Sequence, residues 1–170
     1  MQKEFSYPLK IDELGQGEQT YKLSADKEEC EMLAEILQIS AVNSFDAEIK
    51  IDFQKKKGLI DVWGTVKADL ALISVITLEP FNKEYKTDFK LLYDTNAKYE
   101  DVYSDDDDIK LDVPDIVIDG KIDLADIAIE QLALIMDDYP RQEGESFDEI
   151  IEDNSPIRSN PFAVLEKLKK

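Results

Sequence analysis

Apolar and polar residues alternate through much of the first hundred positions, the period-2 mark of strands with one buried face. Phe5, Tyr7, Leu9 and Ile11 alternate in this way and predict a first strand. Leu14-Gly15-Gln16-Gly17 breaks it, and a short strand follows around Thr20–Leu23. The period then changes. Cys30, Leu33, Ala34 and Leu37 recur at i, i+3, i+4 and i+7, with Met32 and Ile36 widening the apolar face. That spacing predicts a helix over 27–38, capped by Ser24 or Asp26 and ending near Ile39.

A meander comes next. Ala47, Ile49, Ile51 and Phe53 alternate up to a charged turn, Gln54-Lys55-Lys56-Lys57-Gly58, whose glycine is free to take positive φ. Ile60, Val62, Gly64, Val66 and Ala68 alternate on the return strand, with Trp63 on the opposite side, placed to cover the second face. The continuous apolar run from Leu70 to Leu78 predicts a strand buried on both sides, or one bending across a closed sheet. Glu79-Pro80-Phe81-Asn82 then reads as the turn, because proline has no N–H to give a ladder. Tyr85, Thr87, Phe89, Leu91 and Tyr93 line the next strand.

Asp94 to Lys110 reads as a mobile loop around Asp105-Asp106-Asp107-Asp108. Ile116-Val117-Ile118 predicts a short edge strand, ended by the turn signal Asp119-Gly120. Asp123 is the natural N-cap of a helix over 123–138. Leu124, Ile127, Ala128, Gln131, Leu132 and Ile135 form its stripe, and Ile129, Ala133, Leu134 and Met136 make it apolar nearly all round. Tyr139-Pro140 stops it. Arg141 to Ser159 has the composition of a linker, and Asn160-Pro161 then opens a short helix with Phe162, Leu165 and Leu168 on one face. The fold class expected is α+β: a mostly antiparallel, curved sheet with two packed helices and a flexible C-terminal tail. Residues 1–139 form the domain and 140–170 the acidic linker and terminal helix.

Charge sharpens this picture. Of the net −19, residues 1–100 carry −6, residues 101–153 carry −16, and residues 154–170 carry +3. Such a field repels phosphate backbones and suits basic protein partners. Direct RNA contact would need Lys55–Lys57 and the basic tail to act together. The chain has one cysteine, Cys30, and no histidine, which excludes an internal disulfide, a Cys/His zinc site and histidine-based catalysis. Cys30 reads as a small buried hydrophobe on its helix. No phosphate-cradling glycine pattern occurs. Asp115, Asp119, Gly120, Asp123 and Asp126 fall at positions of a calcium loop, but Val117 stands where an oxygen ligand is needed. A turn and a helix cap account for the same residues. No catalytic residue, metal, cofactor, membrane segment or small-molecule substrate is expected. The opening MQKEFSYPLK lacks the layout of a signal peptide, so a cytoplasmic protein is expected.

The run Ser74-Val75-Ile76-Thr77-Leu78-Glu79-Pro80-Phe81 resembles the YceD family, the large ribosomal RNA subunit accumulation proteins. Gly120-Lys121-Ile122-Asp123-Leu124, the following apolar helix and Tyr139-Pro140-Arg141 are similar to a second family pattern. Asn160-Pro161-Phe162-Ala163-Val164-Leu165 with Leu168 resembles the closing motif of the branch that lacks cysteines. Many relatives carry C-x-R-C just before the Leu-Glu-Pro. Here that pair falls on Ser74 and Thr77, so no metal or redox role is carried over.

The resemblance implies a non-enzymatic role in large-subunit ribosomal RNA synthesis, processing or stability. The acidic charge points to a basic ribosomal or assembly protein as partner. Candidate partner-binding residues are Leu78, Glu79, Pro80 and Phe81, with Asn160, Pro161, Phe162 and Leu165 in the tail. The alternatives from other classes are an acidic nucleic-acid mimic blocking a basic enzyme, and a carboxylate enzyme using a divalent ion. The terminal helix is marginal alone and needs a groove to lie in, on a partner or on its own domain. Phe162→Ala with Leu165→Ala is therefore expected to lower partner recovery in a pull-down or the melting temperature of the domain. Loss of neither would overturn the docking role.

Overall fold

Three long strands joined in sequence order dominate the molecule, whose computed structural model describes residues 5–97 and 114–146. They are β3 (Ala41–Gln54), β4 (Leu59–Ile73) and β5 (Pro80–Asp94), preceded by β1 (Pro8–Lys10) and β2 (Glu18–Ser24). The short strands β6 (Asp115–Ile116) and β7 (Lys121–Asp123) follow. One sheet has the order β2-β3-β4-β5-β6, antiparallel except for the β5–β6 pair, and β1 and β7 form a second, two-stranded sheet. The helices are α1 (Lys27–Leu37) and α2 (Leu124–Ile135). The α+β class is as expected from the alternation.

The core forms where the inward residues of the long strands meet both helices. Ile49, Ile51, Ile60, Val62, Val66 and Leu70 are buried with Leu33 of α1 and with Leu124, Ala128 and Leu132 of α2. Cross-strand neighbours alternate in size. Ala68 lies between Phe45 and Tyr85, and Gly64 between Ile49 and Phe89. Small residues on β4 thus leave room for large ones on both neighbours, as close packing requires. A bulge between Val42 and Ser44 inserts Asn43 and keeps both Val42 and Phe45 on the inner side.

Local signals set the ends. Asp26 caps α1 in a reciprocal box with Glu29: its carboxylate accepts the Glu29 N–H at 2.9 Å, and Glu29 accepts the Asp26 N–H at 2.8 Å. Gln38 closes α1 in the left-handed region at φ 56°. Asp123 caps α2 by accepting from the N–H groups of Ala125 and Asp126, and also takes the Ser6 hydroxyl and the Tyr7 N–H. Asp119 and Gly120, at φ 53° and 65°, make the turn that joins Ile118 to Lys121. These two aspartates and the glycine are therefore occupied by a turn and a cap. Cys30 is buried, and burial, with Asp26 adding, pushes its thiol pKa up.

Several expectations need correction. The strand expected over Phe5–Ile11 shrinks to Pro8–Lys10, followed by a 3-10 turn at Ile11–Glu13, and Tyr7 is 43% exposed. Among the described residues its partner is β7, three residues long and too short to extend it. The run Leu70–Leu78 is not one buried strand. β4 continues unbroken to Ile73, and Ser74–Thr77 turn the chain, so Pro80 begins β5 instead of forming the turn. Pairing of β4 with β5 over their whole length forces the reversal before Pro80. Ile36 does not widen the α1 face, since α1 packs on β3 from one side only. α2 stops at Ile135 and exposes Ala133 and Leu134, while Ala125, Ile129 and Met136 join its predicted stripe against the core. Trp63 is half-buried on the outer face between Lys50 and Lys90, beside a hollow of about 420 Å³. Among the described residues, no helix is long and apolar enough to cross a membrane.

Gly64 tests the packing of the central strand. A Cβ there would lie 2.1 Å from the Glu48 carbonyl oxygen, on backbone that cannot swing aside. Gly64→Ala is expected to destabilise the fold by about 1–3 kcal/mol, read as a lower denaturant midpoint. An unchanged midpoint would contradict the close approach of β3 and β4.

Candidate partner-binding groove

The β4–β5 turn is built around Ser74, which is fully buried. Its N–H donates to the Glu79 carbonyl at 2.9 Å, and its carbonyl accepts the Leu78 N–H at 2.9 Å. Its hydroxyl oxygen accepts the N–H groups of Ile76 and Thr77, each at 3.2 Å. The same hydroxyl donates to Glu145, and the Thr77 hydroxyl donates to the other Glu145 oxygen at 3.1 Å. Glu145 lies in the stretch whose composition reads as linker. The Val75 N–H donates to the Pro140 carbonyl at 2.9 Å, and the Gln142 N–H donates to Glu145 at 3.0 Å. Residues 140–145 are thereby strapped across the turn.

Tight closure leaves Leu78 in the left-handed region at φ 60°, which costs a residue with a side chain about 1–2 kcal/mol. The same geometry holds its side chain outward, 76% exposed. Tyr139, just before the strap, is 79% exposed, and Val75 is also exposed. Between turn and strap runs a groove of about 1290 Å³. Val75, Phe81, Asn82 and Lys83 form one wall, and Asp137 to Ser146, except Pro140, line the other.

Hydrogen bonds hold two of the groove's carboxylates, Asp137 and Glu145, below the usual carboxylate range. Lys83 donates to Asp137, and the Tyr85 hydroxyl donates to the same oxygen at 2.9 Å. Lys83 first, then Tyr85, holds the Asp137 carboxyl below the usual carboxylate range. The Asp137 contact in turn raises the Lys83 pKa, and burial, with Asp137 adding, raises that of Tyr85. The Ser74 hydroxyl, helped by the Gln142 N–H and Thr77, likewise holds Glu145 low. Carboxylates shifted downward are poor proton donors near neutrality but lasting negative charges.

Of the residues expected to bind a partner, Leu78, Glu79, Pro80 and Phe81 sit together at this turn. Only Phe81 lines the groove, and Leu78, Glu79 and Pro80 are exposed beside it. Asn160, Pro161, Phe162 and Leu165 lie outside the described residues, as does the tetra-aspartate. Sequence reasoning missed Glu145, a single acid in an acidic stretch with no periodicity to mark it. The closely spaced hydroxyls of Ser74 and Thr77, a turn-forming pair, were the available sign.

The structure therefore joins two of the family-like runs, Ser74–Phe81 and Tyr139–Arg141, through the Val75–Pro140 hydrogen bond. A family model described as "Large ribosomal RNA subunit accumulation protein YceD" matches residues 62–169, more than half of the chain. The chain belongs to the YceD family. The match spans β4 through the tail, both groove walls included, and the family description ties the chain to accumulation of large-subunit ribosomal RNA. No curated protein and no solved structure matches the chain.

The strap of this YceD-family chain should respond to acid. The Glu145 pKa is depressed in the folded state, so its contribution is complete above the ordinary glutamate value of about 4.3 and is lost as pH falls through the lower folded value. Hydrogen-exchange protection of the Val75 amide is expected to fall in that acidic window, and to be low at every pH in Glu145→Gln. Equal protection in both proteins would show that Glu145 does not hold the strap.

Proposed function

We propose that this YceD-family protein supports large-subunit ribosomal RNA by binding a basic ribosomal or assembly protein, with no chemistry of its own. The docking place is the groove between the β4–β5 turn and the 140–145 strap, with the exposed Leu78 beside it. The observation that carries this reading is Leu78 itself. A leucine in a left-handed conformation and 76% exposed is strained for no packing benefit of its own. Side chains held outward under strain are suited to becoming anchors in an interface.

Charge supports the basic client. Residues 114–146 carry nine acidic groups against Lys121 and Arg141. Paired carboxylates such as Asp137 and Glu145 keep their charge through the physiological range. A surface of this sign steers cationic proteins and discourages bare RNA. The family description, an accumulation protein, fits a binding role.

Leu78→Gly separates anchoring from folding. Relief of the backbone strain offsets the extra freedom of glycine in the unfolded chain, so stability is expected to shift by less than about 1 kcal/mol. In cells carrying this variant in place of the native chain, the ratio of large- to small-subunit ribosomal RNA is expected to fall. A wild-type ratio with normal partner recovery would overturn the anchor.

A further inference from the structure

Among the described residues, the edge of β5 away from β4 is unpaired before Tyr93, and it offers a mode of binding that the groove alone does not specify. At one end of the β4–β5 hairpin the Ser74 N–H donates to the Glu79 carbonyl, and at the other the Thr95 N–H donates to the Gly58 carbonyl at 2.8 Å. Both contacts belong to one register, and together they show that odd-numbered residues of β5 bond to β4. The main-chain groups of Pro80, Asn82, Glu84, Lys86, Asp88 and Lys90 therefore point away from β4. Pro80 occupies such an outward position, where a missing N–H costs no ladder bond. Among the described residues, β6 pairs with this edge only at Tyr93 and Asp94. The Asp88 carbonyl accepts the Thr87 hydroxyl at 3.3 Å.

This edge opens into the groove. Asn82 lines the groove, yet its side-chain oxygen accepts from Asn43 at 3.3 Å, beside Asp69 on the outer face. Asn82 thus places this edge beside the groove. Lysines commonly guard sheet edges, but here Lys86 and Lys90 alternate with Glu84 and Asp88, and Asp137 neutralises Lys83. The opposite wall adds Asp138, Glu143 and Glu145.

We infer that an extended, basic segment of the client protein adds to β5 as a further strand, its outward backbone groups pairing with Asn82, Glu84 and Lys86. Its cationic side chains face Asp138 and Glu143. This rests on the basic-client reading above and specifies how that client is held. Main-chain pairing supplies affinity, and the acidic wall supplies selectivity.

An alternating lysine–valine peptide, titrated into the full chain at low salt, provides the test. Binding is expected to slow amide exchange at Asn82, Glu84 and Lys86, and to weaken about tenfold or more when alternate peptide nitrogens are methylated. Glu84→Pro, which removes one outward N–H, should weaken binding similarly. Should that variant fail to fold, the methylated peptide decides. Equal affinity for methylated and unmethylated peptides would overturn strand addition while leaving a basic client in place. No binding, or equal binding of a glutamate–valine peptide, would overturn both. Cross-links placing Phe162 or Leu165 of the same chain in the groove would also overturn it.

Discussion

The register of β4 is the constraint on which the rest of the molecule depends. This strand of 15 residues pairs with β3 on one side and β5 on the other. A slip by one residue would turn Ile60, Val62, Val66 and Leu70 to solvent. It would also drive Phe45, Tyr85 and Phe89 against residues larger than Ala68 and Gly64. Both helices pack on the inner face that this register creates. So does the position of each hairpin turn: once β4 and β5 are aligned over their full length, the chain must reverse within Ser74–Glu79.

That forced reversal is where the proposed binding surface arises. A tight turn between two long strands leaves few backbone groups paired within the turn itself. The Ser74 hydroxyl takes two of the turn's N–H groups, the Pro140 carbonyl takes a third from outside the hairpin, and the Glu145 carboxylate accepts the Ser74 and Thr77 hydroxyls. The return of chain after α2 across the turn creates a second wall, and with it a groove. The price of closure is Leu78 in a strained conformation, its side chain held in water. Neighbouring ammonium, phenol and hydroxyl groups hold Asp137 and Glu145 below the usual carboxylate range, so these two groove residues remain negative charges.

The sequence match that places the chain in the YceD family begins at residue 62, inside β4, and runs through the strap. The shared portion therefore includes the turn, β5, α2 and both walls of the groove, whereas β1, β2, α1 and β3 precede it. Within this molecule the earlier elements complete the core. The later ones carry the acidic excess, the exposed Leu78 and the outer edge of β5.

Much of the fold was legible from local pattern. Period-2 runs marked β3, β4 and β5, and the i, i+3, i+4 stripes chose the buried faces of α1 and α2. Asp26, Asp123, Gly58 and Asp119-Gly120 marked caps and turns, because their chemistry acts on neighbours in the chain. What local pattern misplaced was the end of β4: Leu70–Leu78 is apolar but for Ser74 and Thr77, and hydropathy cannot distinguish residues buried in a sheet from those held out by a turn. Only the pairing of β4 with β5 located that boundary. The contact between Ser74 and Glu145 spans 71 positions. No periodicity encodes a single hydroxyl meeting a single carboxylate over such a distance, so tertiary structure alone decided where the groove would be.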